Sequence, residues 1–202
     1  MKNWRQETID TYDRSARQLS EYFSGIGPRV SYIELAWQIS GRPKNPKVVE
    51  IGCGDGRDAQ AITERTANYL GFDISKAFID IARKTAPEAH FEIADAVSFN
   101  YPKNQDIVFS FASILHLDRE ELEKVLHKVH ACLKAGGVFY ISSKHAEKYR
   151  SKIKEDKFGK RMFYFYNANI VKKLAGSKFT LITDFLEKRG DTVWFEMALK
   201  KR

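Results

Sequence analysis

Three glycines at alternate positions follow a run of branched apolar residues in the first third of the sequence. The stretch VVEIGCGDGRDAQAI, residues 48–62, places Gly52, Gly54 and Gly56 directly after VVEI. Glycine adopts positive φ angles readily and has no Cβ, so a ligand can lie directly against the backbone. Amides at the start of the helix that follows can face such a ligand. The pattern therefore fits a dinucleotide or another nucleoside ligand.

Two charged residues around these glycines separate the alternatives. A dinucleotide turn, G-x-G-x-x-G, needs a small residue at position 57, where this chain has Arg57. Glu50 lies at the end of the preceding strand, where a carboxylate suits a cationic group better than a pyrophosphate. Capping of a neighbouring helix is the alternative role for Glu50. The pair favours a ligand that carries a positive charge at this end.

Acidic residues also end the next two predicted strands. Asp73 is placed to accept hydrogen bonds from both hydroxyls of a ribose. Asp95 can accept the exocyclic amino protons of adenine, while the amide of Ala96 donates to a ring nitrogen. A turn role is the alternative for Asp95. The predicted ligand has an adenosine, no phosphate and a cationic amino-acid end.

Helix and strand patterns alternate around these motifs. Ser75 is a suitable N-cap for the second helix of the series, and KAGG at 134–137 is predicted to end the third. The predicted strands span 47–51, 69–72, 90–93, 106–109 and 138–142, and the predicted helices span 58–66, 76–85 and 119–133. Such alternation predicts an α/β fold with a doubly wound, mostly parallel sheet.

The two ends of the chain depart from this alternation. Apolar residues at helical spacing predict an N-terminal helix that stops at SGIGP, residues 24–28, and a second short helix follows. A basic, aromatic segment, 144–166, precedes a helix at 168–175. Strand-like runs at 179–186 and 192–199, joined by EKRGD, predict an antiparallel hairpin. The standard dinucleotide-binding sheet, which uses parallel crossovers throughout, does not end this way.

We expect a single domain in four parts. They are a helical cap (1–43), a ligand-binding core (46–142), a lid-like insertion (143–166), and a last helix with the hairpin (167–202). The cap and the insertion are free to cover the site, where lids exclude water and shape specificity.

Five motifs occur in the order and at the spacing of a known family. They are VVEIGCGDGRD, LGFDIS, IADA, DIVFSFASILHL and LKAGGVFYIS, within about residues 46–142. In these motifs the chain resembles the class I S-adenosylmethionine-dependent methyltransferases of the small-molecule type. The resemblance implies a seven-stranded, Rossmann-like sheet, S-adenosyl-L-methionine as cofactor, S-adenosyl-L-homocysteine as product, and methyl transfer to an O or N atom of a small molecule.

The resemblance also implies roles for particular residues. Backbone groups of Gly52, Cys53 and Gly54 would contact the methionine part of the cofactor, and Ile74 would pack on the adenine. A residue near Phe111 would flank the sulfonium. Arg57 and Tyr12 are possible partners of the methionine carboxylate; for Tyr12 a core role is the alternative, because it lies on the apolar stripe of its helix.

Residues that would meet the methyl acceptor are expected after the fourth and fifth core strands. His116, in SILHL, is a candidate general base at the edge where open α/β sheets bind ligands, and packing is its alternative role. His145 is a weaker candidate. In MFYFY, residues 162–166, strand alternation separates the phenylalanines from the tyrosines. We expect Tyr164 and Tyr166 to face the acceptor.

Composition limits the remaining possibilities. Hydrophobic residues make up 43% and charged residues 30%, which is typical of a globular protein, and the net charge is +8. The polar N-terminus is not expected to be a secretion signal. Cys53 and Cys132 fit no metal-ligand spacing, so we expect no metal, reduced cysteines and a cytoplasmic location. We also expect a monomer with no membrane partner.

Basic charge concentrates in one segment. Residues 144–161 contain eight Lys or Arg against three acids. This segment is a solvated surface or a grip for a polyanion, so a tRNA or protein methyltransferase is one alternative function. A non-catalytic cofactor-binding protein is another.

Overall fold

The computed structural model describes residues 4–202. These residues form nine strands and six α-helices. The strands are β1 (Val48–Ile51), β2 (Tyr69–Asp73), β3 (His90–Ile93), β4 (Gln105–Phe111), β5 (Leu133–Lys144), β6 (Arg150–Asp156), β7 (Gly159–Phe165), β8 (Phe179–Arg189) and β9 (Thr192–Lys201). The helices are α1 (Trp4–Ser24), α2 (Val30–Ile39), α3 (Ala59–Thr63), α4 (Lys76–Thr85), α5 (Arg119–Cys132) and α6 (Ala168–Ala175).

Seven strands form one sheet in the order β3-β2-β1-β4-β5-β9-β8. The first five pair in parallel, and β9 runs antiparallel to both β5 and β8. The strand order reverses between β1 and β4, which is the switch point where ligands bind in open sheets of this kind. The predicted fold, with its mostly parallel sheet and C-terminal antiparallel hairpin, is confirmed.

The sheet is covered on both faces, as the alternation of buried side chains requires. One face packs against α5 and α6 in a cluster that contains Val49, Val108 and Phe139. The other face packs against α2, α3 and α4 in a cluster that contains Val48 and Ile107. Because successive residues of β1 and β4 enter opposite clusters, these strands are rigid supports for the turns that follow them.

The N-terminal helix is held by a stripe of hydroxyl groups. The Thr11 hydroxyl donates to the Lys160 carbonyl at 2.8 Å, and the Ser15 hydroxyl donates to the Phe158 carbonyl at 2.7 Å. The amide of Met162 donates to the Thr8 hydroxyl at 2.9 Å. Helix α1 is thereby attached along β7.

Strands β6 and β7 form a separate two-stranded sheet. The sequence predicts a basic, lid-like insertion here, with strand alternation in residues 162–166 but no strand at β6. The reason is visible in β6, whose residues RSKIKED are nearly all exposed and carry no alternation of apolar and polar side chains. The hairpin forms because β7 buries alternate residues on its inner side.

Three predicted boundaries are corrected by the structure. Helix α3 is shorter than the predicted 58–66. KAGG does not separate α5 from the next strand, since β5 begins at Leu133, directly after α5 ends. Strand β8 continues to Arg189, which leaves only Gly190 and Asp191 in the turn before β9. Within residues 4–202 no helix has the length and apolar character needed to cross a bilayer.

Candidate active site

A cavity of about 960 Å³ lies at the carboxyl ends of the parallel strands. Its walls come from the turns after β1, β2, β3 and β4, from α1, from the β6–β7 hairpin, and from the tip of the β8–β9 hairpin. Thirteen of the fifteen predicted site residues line it: Tyr12, Glu50, Gly52, Cys53, Gly54, Arg57, Asp73, Ile74, Asp95, Ala96, Phe111, His116 and Tyr164. The fold therefore gathers residues that are distant in sequence into one space.

The amides of the glycine turn are already hydrogen-bonded within the protein. Those of Gly52 and Cys53 donate to the Phe72 carbonyl at 2.8 and 3.1 Å, and that of Gly54 donates to Asp73 Oδ2 at 3.0 Å. A ligand at these residues would meet carbonyl oxygens and bare Cα atoms. Gly54 has a φ of +55°, and a Cβ there would meet no atom within 4 Å. Its missing side chain thus leaves open space at the cavity.

Gly56 has a different role in the same turn. A Cβ at this position would lie 3.1 Å from both the Cα and the Cβ of Ala82 in α4. The glycine therefore permits close packing of the turn on α4. The close contact with α4 is made at position 56 and not at position 57. The Arg57 side chain lines the cavity.

Glu50 lies in a buried group of charges at the mouth of the turn. It is 1% exposed and accepts a 2.6 Å hydrogen bond from the Tyr69 hydroxyl. Burial, reinforced by nearby Asp58, raises the pKa of Glu50 to about 8, although Arg29 and Arg57 act in the opposite direction. Asp58 pairs with the Arg29 guanidinium. The group contains two carboxyls and two guanidiniums, which suits a zwitterionic ligand.

Asp73 ends β2 beside this group. Besides Gly54, the amide of Ser75 donates to its carboxylate at 2.9 Å. Burial raises the pKa of Asp73 to about 6, while these amide donors act to lower it. Ile74 follows as a half-buried apolar wall. The carboxylate both closes the glycine turn and lines the cavity, and its role toward ribose hydroxyls stays a prediction.

Asp95 is already engaged by a residue of α1. Arg5 Nη2 donates to Asp95 Oδ1 at 2.7 Å, and Arg5 Nε lies 2.7 Å from a Glu121 oxygen. The amide of Val97 also donates to Asp95 Oδ1, at 2.9 Å. The carboxylate predicted to bind an adenine edge thus lies in the cavity, with Arg5 closing over it and connecting α1 to α5.

His116 is placed in the cavity with both ring nitrogens occupied. Nδ1 lies 2.8 Å from the Met162 carbonyl, which only accepts, so Nδ1 carries the proton. Nε2 then accepts from the Tyr12 hydroxyl at 2.6 Å. Burial lowers the pKa of His116 to about 3. These contacts argue against the predicted general-base role of His116. The lone pair of Nε2 already accepts a hydrogen bond from Tyr12, and the ring is weakly basic.

Two predicted acceptor residues lie outside the cavity. Tyr166 is fully buried and donates to the Leu117 carbonyl at 2.8 Å, which makes it a packing residue. His145 lies 3.2 Å from a Glu147 carboxylate oxygen. The prediction that Tyr166 faces the acceptor is wrong, as is the placement of His145. Phe163 lines the cavity together with Tyr164, so β7 presents neighbouring side chains there.

Several charged residues that line the site were not predicted from the sequence, among them Arg5, Arg29, Asp58, Lys144 and Arg161. Lys144 had a readable signal. His145 was selected because it follows the fifth core strand, and the same argument applies to the neighbouring Lys144. Alternation of side chains along the strand directs Lys144 to the cavity. Arg5 had no such signal in the sequence, because its partner Asp95 is 90 residues away.

Comparison with known proteins gives a family match over the core. A family model described as a methyltransferase domain matches residues 48–137. Trans-aconitate 2-methyltransferase of Variovorax paradoxus is 31% identical over 103 residues, which is 49% of this chain and 39% of the relative. The chain thus spans about two fifths of that relative's length.

Two further proteins are similar over most of this chain. Demethylmenaquinone methyltransferase of Chlorobaculum parvum is 26% identical over 189 residues, 92% of this chain and 75% of the relative. The crystal structure of the Burkholderia thailandensis 1,6-didemethyltoxoflavin-N1-methyltransferase, with 1,6-didemethyltoxoflavin and S-adenosylhomocysteine bound, superposes with a TM-score of 0.71 at 15% identity. The superposition covers 96% of this chain and 86% of the methyltransferase chain, and it shows that the two share a fold.

Proposed function

We propose that this chain is a class I S-adenosylmethionine-dependent methyltransferase and that it transfers a methyl group from S-adenosyl-L-methionine to an O or N atom of a small molecule. One observation supports the proposal above others. A single cavity of about 960 Å³ joins the glycine turn and Asp73 to a chamber under α1 and the β6–β7 hairpin. This volume is at the top of the usual range of about 300–1,000 Å³ for a ligand pocket, which favours a site for two molecules.

The residues at one end of the cavity fit the cofactor. The open space at Gly54 accepts a group that lies against bare backbone. Glu50 and Arg57, both at the cavity wall, offer a carboxyl and a guanidinium to the two charged groups of an amino-acid zwitterion. Asp73 offers carboxylate oxygens to ribose hydroxyls, and Ile74 with Phe111 supplies apolar walls. We assign the cofactor to these residues.

When bound, S-adenosyl-L-methionine supplies an electrophilic methyl group for in-line displacement by the acceptor. The chain's own contribution is to hold and orient the reactants and to exclude water. Helix α1 and β7 cover the cavity, and Tyr12 with His116 forms a fixed, uncharged hydrogen-bonded pair in its wall. Acceptor orientation, rather than proton removal by His116, is the role that we assign to this pair.

The enclosed chamber favours a small acceptor over tRNA or protein. Of the basic residues in 144–161, Lys144, Lys154 and Arg161 line the cavity. Arg150 and Lys152 are exposed on the outer strand of the hairpin. The inward residues are not available to a macromolecular polyanion, so the segment offers less continuous charge than its sequence indicates.

Methyl transfer from labelled cofactor tests the proposal. The full chain is incubated with methyl-labelled S-adenosyl-L-methionine and, in parallel, with a low-molecular-weight metabolite extract, with tRNA and with total protein. We expect label in the metabolite pool. Transfer to tRNA or to protein instead would favour the macromolecular alternative, and cofactor binding without transfer to any pool would favour a non-catalytic binding protein.

A further inference from the structure

Lys144 ends β5 with its side chain directed at the acceptor end of the cavity. Its Nζ lies 4.1 Å from the centroid of the Phe163 ring and 5.9 Å from that of Trp194. Within residues 4–202 no carboxylate lies within salt-bridge distance of this ammonium, and the opposing charge that acts on it is that of Asp156, which pairs with Arg161. A cation is thus held between two aromatic side chains at the cavity surface, with no direct ion pair in the described part of the chain.

Two more cations approach the same aromatic ring. Lys154 Nζ, on β6, and the Arg161 guanidinium, on β7, lie 5.9 and 5.5 Å from the Phe163 centroid. The one carboxylate that belongs to this group is Asp156, which pairs with Arg161. Lys154, like Lys144, forms no salt bridge among the residues that the structure describes. The acceptor end therefore carries an excess of positive charge.

Burial of the Lys144 ammonium and repulsion among three cations around one ring make this arrangement unfavourable by itself. Burial, together with Lys154 and Arg161, lowers the pKa of Lys144 to about 8, and Asp156 opposes the shift only in part. Arg161 is 6% exposed, and its Nε has no hydrogen-bond partner within the described chain. An anion beside Lys144 would offset both the burial of the ammonium and the repulsion among the three cations.

We propose that the methyl acceptor carries an anionic group, a carboxylate or a phosphate, and that the Lys144 ammonium binds this group against the Phe163 ring with support from Lys154 and Arg161. The inference rests on the proposed function, since it names the acceptor of that same site. Phe163 and Trp194 then contact the apolar part of the acceptor next to its charge.

A fractionated extract tests the charge of the acceptor. A cellular metabolite extract is freed of macromolecules by ultrafiltration and separated by ion exchange into anionic, neutral and cationic pools before any reaction. Each pool is then incubated with the full chain and methyl-labelled S-adenosyl-L-methionine. We expect labelled product from the anionic pool, and prior phosphatase treatment of that pool distinguishes a phosphate, whose label would be lost, from a carboxylate.

Variants of Lys144 connect the charge to the residue. We expect Lys144→Met to lower transfer to the anionic pool at least tenfold through a raised KM, and Lys144→Arg to retain more of it. Lys152→Met is the matched control, because Lys152 is exposed on the same hairpin and should leave transfer unchanged. Affinity for S-adenosylhomocysteine, measured by calorimetry, should be the same in all three and shows that each is folded.

The pH profile provides a readout that a merely structural role would not change. Lys144 faces Lys154 and Asp156 on β6, Arg161 on β7, and His116 after β4. Since the ammonium is lost as pH rises through about 8, KM for the anionic pool should rise above that pH in the parent chain. In the Lys144→Arg variant KM should not change over this pH range, because the guanidinium stays charged.

Several results would overturn the inference. Label from the neutral or cationic pool alone, or a Lys144→Met variant that uses the anionic pool as well as the parent, would refute it and leave the proposed function standing. An identical rise of KM above pH 8 in Lys144→Arg would also count against it. Label from none of the pools would remove the proposed small-molecule function, and the inference with it.

Discussion

Glu50 and Asp73 are carboxyls whose surroundings shift them toward the neutral form. Both line the cavity, and burial raises the pKa of each, to about 8 and about 6. A buried carboxyl without a full positive partner is costly when ionised, and a cationic or hydroxyl-bearing ligand reduces that cost. The free protein thus holds these side chains in a state that a ligand can change.

The raised pKa of Glu50 predicts a pH-dependent affinity. Below about pH 8 the free protein keeps Glu50 protonated, whereas a ligand ammonium favours the carboxylate, so binding should release a proton. Affinity for S-adenosylhomocysteine should rise roughly tenfold from pH 6.5 to 8. Calorimetry in buffers of different ionisation enthalpy measures the proton release.

Glu50→Gln is the control for this effect, because it keeps the size of the side chain and cannot ionise. In that variant the proton release should disappear and the pH profile should flatten. Equal proton release in both proteins would show that another group titrates and would remove Glu50 from the cofactor site.

A substitution at Asp73 is the sharpest test of the residue assigned to the ribose hydroxyls. Asp73→Asn should weaken S-adenosylhomocysteine binding by about 10- to 100-fold, since it removes one charge-assisted hydrogen bond worth roughly 1.5–3 kcal/mol. The amide oxygen can still accept from one backbone donor of the turn, so the fold should survive, as thermal melting would show. Asp80→Asn, on the exposed surface of α4, is the control. An unchanged affinity in a folded Asp73→Asn would refute the ribose assignment.

At the scale of elements, the cover of the cavity depends on the contact between α1 and β7. Thr8, Thr11 and Ser15 form a buried polar stripe on α1, and each hydroxyl is hydrogen-bonded to the backbone of the β6–β7 hairpin. Buried backbone groups that lose their partners destabilise a structure. These three hydroxyls therefore hold the two covering elements together.

Thr8→Val tests this contact. The change preserves shape but leaves the Met162 amide without its acceptor, so hydrogen exchange at that amide should accelerate at least tenfold, which corresponds to about 1.4 kcal/mol. Nuclear magnetic resonance measures the exchange. Thr63→Val, whose hydroxyl bonds only within the turn of α3, should leave Met162 unaffected. Unchanged protection in Thr8→Val would show that the hairpin is held by other contacts.

The elements differ in how far the sequence predicts them. Helix α4 and strand β3 have the predicted bounds, because a capping Ser75 and clear apolar spacing mark them locally. Strand β6 was missed because it lies on the surface with no alternating pattern. Its existence depends on pairing with β7, which is a tertiary effect.

The same distinction applies to the site. Glycines and acids at strand ends were readable, since the carboxyl edge of a parallel sheet is a general binding place. The pairing of Tyr12 with His116 joins residues 104 positions apart, and it changed His116 from a candidate base to a positioned, weakly basic ring. Contacts of this kind follow from how α1 folds over the sheet and have no local signature.

For the whole molecule, the distribution of charge matters more than its total. The net charge is +8, and the densest basic segment is the β6–β7 hairpin, which turns part of its charge toward the cavity. One wall of the cavity thus carries the paired charges around Glu50, and the other carries the excess cations around Lys144. A site with this division suits an amino-acid cofactor at one end and an anionic acceptor at the other.

Isothermal calorimetry with S-adenosylhomocysteine and with NAD is the most direct test of the central claim that this cavity is an S-adenosylmethionine site. The open backbone at Gly54, the charges around Glu50 and the arginine at position 57 fit an adenosine with an amino-acid end and no pyrophosphate. We predict micromolar binding of S-adenosylhomocysteine, about −8 kcal/mol, and no binding of NAD. Binding of NAD without binding of S-adenosylhomocysteine would contradict the account.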